Sequence, residues 1–173
     1  MDKLVNNSKK MLLINYIVVA LATIFDQWTK KLIEPLKVNA DIDILPGVFN
    51  FTYVENRGAA FGLMNGQRIF FLVIAVVVFA AISYVFLRIP AEKKYYKLDI
   101  TLAFILAGAI GNMIDRFSLG YVRDFINFYC INFAVFNVAD IYITCGTPMV
   151  CLMILFVYKE DELNFLKRKN SGV

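Results

Sequence analysis

Four long apolar stretches, each bordered by isolated charges, constrain this chain more than any other feature. Met11–Phe25 carries no charge and then meets Asp26. Ile69–Leu87 lies between Arg68 and Arg88, Ile100–Ile114 lies between Asp99 and Asp115, and Ile141–Tyr158 follows Asp140. A helix needs ~20 residues to cross a bilayer core. The second and fourth stretches are long enough. The first and third reach that length only if their helices continue through Asp26 and Asp115, with those carboxylates facing protein or water. Composition agrees: of 173 residues 60% are hydrophobic and only 18% charged, and the mean hydropathy is +0.63. Such values argue against a soluble globular enzyme, a disordered tail or a nucleic-acid binder. The expectation is one polytopic membrane domain over 1–173, with spans near 11–30, 69–88, 98–115 and 138–158.

A fifth charge-free run, Phe125–Ala139, holds Asn127, Asn132 and Asn137 and is rich in aromatics. A fifth crossing would put the two termini on opposite sides. Yet basic residues mark the N-terminus (Lys3, Lys9, Lys10), the loop Arg88–Lys97 and the C-terminus (Lys159, Lys167, Arg168, Lys169). The positive-inside rule places all three in the cytoplasm. Four spans follow, with Phe125–Ala139 at the outer interface and 31–68 and 116–137 outside. Within the first outer region, Val48–Val54 alternates aromatic and smaller residues, which predicts a strand. Pro46-Gly47 supplies a turn before it and Asn56-Arg57-Gly58 another after it, so a small surface sheet is expected. Residues 1–22 also have the pattern of a cleavable signal peptide. An uncleaved first span fits better, because cleavage would strand a basic terminus outside.

The chain has no histidine, which excludes a Ser-His-Asp triad, a Cys-His pair and an HExxH zinc site. Cys130, Cys145 and Cys151 form no CxxC pair, and neither a disulfide nor a metal is expected. The chemistry must come from other polar groups. On the third span, Gly108, Gly111, Asn112 and Asp115 share one helix face. On the fourth, Asn137, Asp140, Thr144, Thr147 and Cys151 repeat at three and four; the last three are read as helix-packing residues, and Asn137 as the helix cap. Asp124 lies sixteen residues before Asp140. The segment between them leaves at one and returns at the other, so the two carboxylates can converge. Two shielded carboxylates share a proton and can activate water, as in aspartic proteases. The rival is a proton- or cation-coupled transporter using the intramembrane aspartates Asp26, Asp115 and Asp140. Asp26 is either a buried acceptor or part of the site. Arg116 is read as a partner of Asp115 or a lipid-phosphate contact, Arg123 as solvated or headgroup-facing, and Lys30 and Lys31, beside Trp28, as interfacial anchors.

Five motifs, in order, resemble those of bacterial lipoprotein signal peptidase (signal peptidase II). They are Asp26-Gln27-Trp28-Thr29-Lys30, Asn56-Arg57-Gly58-Ala59-Ala60-Phe61-Gly62, Ala107-Gly108-Ala109-Ile110-Gly111-Asn112-Met113-Ile114-Asp115-Arg116, Gly120-Tyr121-Val122-Arg123-Asp124-Phe125 and Phe136-Asn137-Val138-Ala139-Asp140. The resemblance covers nearly the whole chain. It implies an all-α membrane fold of four transmembrane helices with a small extracytoplasmic β-sheet, called the cradle, in the bacterial cell membrane. It implies an aspartic endopeptidase with Asp124 and Asp140 as the dyad, and Asp26, Asn56, Gly108, Asn112, Asp115, Arg116 and Asn137 as binding or supporting residues. Asp115 is the rival for the catalytic position, placed second because Arg116 already offers it a partner charge. Substrates would be diacylglyceryl-modified prolipoproteins, cleaved just before the lipidated cysteine. No cofactor is implied, globomycin-type macrocycles are the implied inhibitors, and a monomer among membrane lipids is expected.

Overall fold

The computed structural model describes residues 2–58 and 66–166, with side chains from residue 8 onward. The Ala59–Gly62 half of the second motif and the C-terminal basic cluster Lys167–Lys169 lie outside the described residues, as does the side chain of Lys3. Four helices are long and apolar enough to cross a membrane. These are α1 (Asp2–Ile33), α2 (Arg68–Arg88), α3 (Tyr96–Ser118) and α4 (Val138–Leu152), the last running on as a π-helical stretch, Met153–Val157. Helix α1 passes straight through Asp26 and α3 through Asp115, as their lengths require.

α3 is the central helix and packs against the other three. Leu98, Leu102, Leu106 and Ala107 bury its apolar face. α2, by contrast, buries only Ile82 and Phe86, and leaves Val73, Val76 and Val77 more than half exposed to the surroundings a bilayer would supply. Small residues set the α3–α4 distance. A Cβ on Gly108 would stand 2.5 Å from the Ala139 carbonyl oxygen, so the two backbones meet there. The face α4 turns inward is Ala139, Gly146 and Met153. Thr144, Thr147 and Cys151, expected as packing residues, are exposed instead. Their stripe lies to one side of the seam that the smaller Ala139 and Gly146 allow.

The other ends of α1, α3 and α4 carry a three-stranded antiparallel sheet in the order β1 (Ile42–Leu45), β2 (Phe49–Asn56), β3 (Val122–Asn127). The turn at Pro46-Gly47 is closed by the Val48 amide donating to the Leu45 carbonyl at 2.9 Å. β3 was not foreseen as a strand. Its first four residues are buried on both faces, so the sequence Val-Arg-Asp-Phe shows no period of two. Gly120, with φ +85, takes the left-handed turn that ends α3 and redirects the chain into β3. After β3 the chain doubles back, and Ile126 bridges to Phe136 immediately before α4. The segment between the third and fourth spans thus ends β3 at Asn127, makes a short helical turn at Tyr129–Ile131 and returns through Phe136 to α4.

Candidate active site

β3 and the start of α4 bring Asp124 and Asp140 to one residue, Asn137. Asn137 is the N-cap of α4: its side-chain oxygen accepts from the Asp140 amide at 3.0 Å, and its own amide donates to Asp140 Oδ2 at 3.2 Å. This is a capping box. The same side chain donates from Nδ2 to Asp124 Oδ1 at 2.6 Å. Asn56 Nδ2 donates to Asp124 Oδ2 at 2.8 Å. It can do so because β2 pairs Val54 with Asp124 and Asn56 with Val122, which makes Asn56 the diagonal neighbour of Asp124 on one sheet face. Asn112 Nδ2 donates to Asp140 Oδ1 at 2.8 Å. Each carboxylate thus receives two amide donors, and no Lys or Arg nitrogen forms an ion pair with either of them among the described residues. Asp124 is 1% exposed. Burial, with the Asp140 charge adding to it, pushes its pKa up to about 7.

A second set of charges lies just behind. Lys30, fully buried, contacts Asp26 at 2.9 Å and Asp115 at 3.7 Å and donates to Asn112 Oδ1 at 2.9 Å. Arg123 grips Asp115 with Nη2 on Oδ1 at 2.7 Å and Nε on Oδ2 at 3.1 Å, and reaches Glu34 at 2.6 Å. Three sequence expectations change here. Lys30 is not an interfacial anchor, because Asp26 one turn earlier on α1 directs it inward. Lys31 does stay exposed and pairs with Glu34. Arg123 is neither solvated nor headgroup-facing: next to Asp124 on a strand, it points to the opposite face and so to Asp115. The partner of Asp115 is Arg123, not Arg116.

Arg116 turns instead toward the cavity, donates to the Gly58 carbonyl at 2.9 Å and lies over the Phe71 ring at 4.4 Å. That cavity, about 590 Å³, is lined by Asn56, Phe71, Arg116, Phe136, Asp140 and Thr144 among others. Asp26 resolves as a buried acceptor, whose Oδ1 takes the Ala139 amide of α4 at 2.9 Å. Gly108 and Gly111 serve helix contact, and neither lines this cavity. Sequence reasoning did not single out Gln27 or Phe71. Gln27 donates to both the Gly111 carbonyl and Asp115 Oδ1, and its place beside Asp26 was the available signal.

Comparison with known proteins points one way. A family model described as signal peptidase (SPase) II matches residues 18–156. The chain is 42% identical over 138 residues to a lipoprotein signal peptidase of Streptococcus thermophilus (strain CNRZ 1066), covering 79% of this chain and 87% of that one. It is 43% identical over 141 residues to another of Caldanaerobacter subterraneus subsp. tengcongensis, covering 81% and 94%. Among solved structures, a bacterial membrane enzyme determined by the in meso method at 2.3 Å resolution matches with a TM-score of 0.72 and 29% identity, over 92% of this chain and 94% of that one.

Proposed function

The chain belongs to the signal peptidase II family, and from that premise we propose that it removes signal peptides from lipoprotein precursors with Asp124 and Asp140 as an aspartic dyad. The observation that supports this is the pair of carboxylates held by amides alone and joined through Asn137. Such a pair holds one proton between its members. We assign that proton to Asp124, because Asp140 is the member that lines the cavity and can meet a water molecule there. Asp140 then takes a proton from a water molecule, whose oxygen attacks the scissile carbonyl carbon. Asp124 hydrogen-bonds the carbonyl oxygen as charge develops there. When the tetrahedral intermediate collapses, the C–N bond breaks and the proton passes to the leaving amine. The cavity beside Asp140 is mostly apolar in its lining, which suits a lipid-modified substrate and excludes bulk water. Globomycin-type macrocycles would compete for the same space.

In this reading the protein acts as a monomer in the bacterial cell membrane. The sheet end faces outward, and the basic end, with Arg88, Lys93, Lys94, Lys97 and Lys159, faces the cytoplasm. The transport alternative has no support in the site: Asp26 and Asp115, which would carry the relay, are already occupied by Lys30 and Arg123. The deciding experiment incubates the purified protein with a diacylated prolipoprotein and an unlipidated control. Cleavage before the lipidated cysteine of the first alone is expected. Cleavage of both, or undiminished cleavage by Asp124→Asn or Asp140→Asn, overturns the proposal.

A further inference from the structure

At the end of the bundle opposite the sheet, the start of α3 and the end of α4 enclose a groove of about 750 Å³. Its floor is apolar, built from Ile100, Met149, Met153 and Val157. Ile100, Met149 and Val157 are 45%, 52% and 63% exposed. Three lysines stand on the rim: Lys93, Lys94 and Lys97. Lys94 is committed, with Glu162 at 3.1 Å, Glu92 at 3.5 Å and the Tyr95 ring beneath it. Lys93 and Lys97 have no acidic partner among the described residues. The nearest carboxylate along α3, Asp99, is 1% exposed and turns away to Asn15 of α1 at 3.1 Å.

The groove therefore joins an apolar trough to two uncompensated ammonium groups at its mouth. In a bilayer such a trough is filled by acyl chains whatever the lipid, and the rim decides which headgroup sits above them. A zwitterionic headgroup brings its own ammonium beside the lysines. An anionic one brings a phosphate without that repulsion, and each nearby lysine favours it several-fold. The long lysine stems can lie along the trough while their charges stay at the headgroup level.

We propose that this groove is a binding site for one anionic phospholipid, with an acyl chain between α3 and α4 and the phosphate between Lys93 and Lys97. The same two helices carry Asn112 and Asp140 toward their far ends, so the lipid ties together the pair that builds the site. The inference stands on the groove and its charges and is independent of the peptidase reading.

The test is native mass spectrometry of the full chain released from detergent micelles containing equal phosphatidylglycerol and phosphatidylcholine. The wild type is expected to retain phosphatidylglycerol roughly tenfold or more over phosphatidylcholine. Lys93→Gln/Lys97→Gln should bring the two to near parity, and Lys93→Arg/Lys97→Arg should keep the preference. Lys31→Gln, at the opposite end and 75% exposed, should leave it unchanged. Equal retention by the wild type overturns the site. So does a preference that survives the double glutamine variant, or one that falls as far in Lys31→Gln, which would reduce it to an effect of net charge.

Discussion

Two clusters of aspartates lie side by side at the sheet end, and they are held in opposite ways. Asp26 and Asp115 face Lys30 and Arg123, so their charges are cancelled within the protein. Asp124 and Asp140 face asparagine amides and one backbone amide. A carboxylate held by a cation from another element serves to position helices. A carboxylate bound to neutral donors keeps its proton exchangeable, which an acid–base role demands. The contrast shows why burial alone does not identify a reactive carboxylate: Asp115 is as buried as Asp124. What separates them is the identity of the donors.

The comparison breaks most sharply by substitution on each side. Asp124→Asn should lower turnover by ~10³-fold or more, within the range for loss of a general acid or base, while thermal unfolding in detergent stays at or above the wild-type temperature. Lys30→Met should do the reverse in kind. It leaves Asp26 without a cation in a dry interior, Asp115 keeping only Arg123, which costs ~3–5 kcal/mol of stability, seen as a lowered unfolding temperature. If Lys30→Met unfolds like the wild type, the first cluster is not structural. Asn112→Ala tests the link between the clusters, because Asn112 accepts from Lys30 and donates to Asp140. Losing that charge-assisted bond, worth ~1.5–3 kcal/mol, should reduce kcat by roughly ten- to a hundredfold with KM little changed. Gly111→Ala presses on Asp26, which lies against the Gly111 Cα, and should destabilise by ~1–3 kcal/mol.

The smallest effect is in pH. The Asp124 pKa, raised to about 7 in the folded protein, lies above the ordinary carboxylate value near 4. The folded state therefore holds this proton more tightly than the unfolded chain. The stability it contributes is complete below about pH 4 and is lost as pH rises through about 7. Unfolding temperature measured across that window should fall less steeply in Asp124→Asn than in the wild type. Activity should decline above about pH 7 as the pair loses its shared proton.

The four helices were legible because each apolar run is long and its bordering charges are unambiguous. β2 showed through its alternation. β3 did not, because Val122–Phe125 is buried on both faces and carries two charges that a one-sided pattern excludes. Within the site, Asn137 was legible as a cap, since an asparagine before an apolar run with an acid three residues on is a local signal. Lys30 and Arg123 were misread for the same reason as each other. A lysine beside tryptophan and an arginine beside an aspartate look like surface groups along the chain. Only tertiary contact, with Asp115 arriving from α3, gives them buried partners. Along the chain Asp115 ranks behind Asp124 because Arg116 stands next to it; the cation that meets it in the fold is Arg123.

Asn137 begins the last helix and touches both carboxylates through its side chain and backbone. Assembly of the proposed reaction centre and docking of the final span are for that reason a single event. A nascent chain that has threaded only three helices into the bilayer holds Asp124 but has neither its opposing acid nor the residue that would orient it. With the dyad proposed above, the peptidase would be inert until that last helix docks, and no separate inhibitory segment would be needed to keep it so.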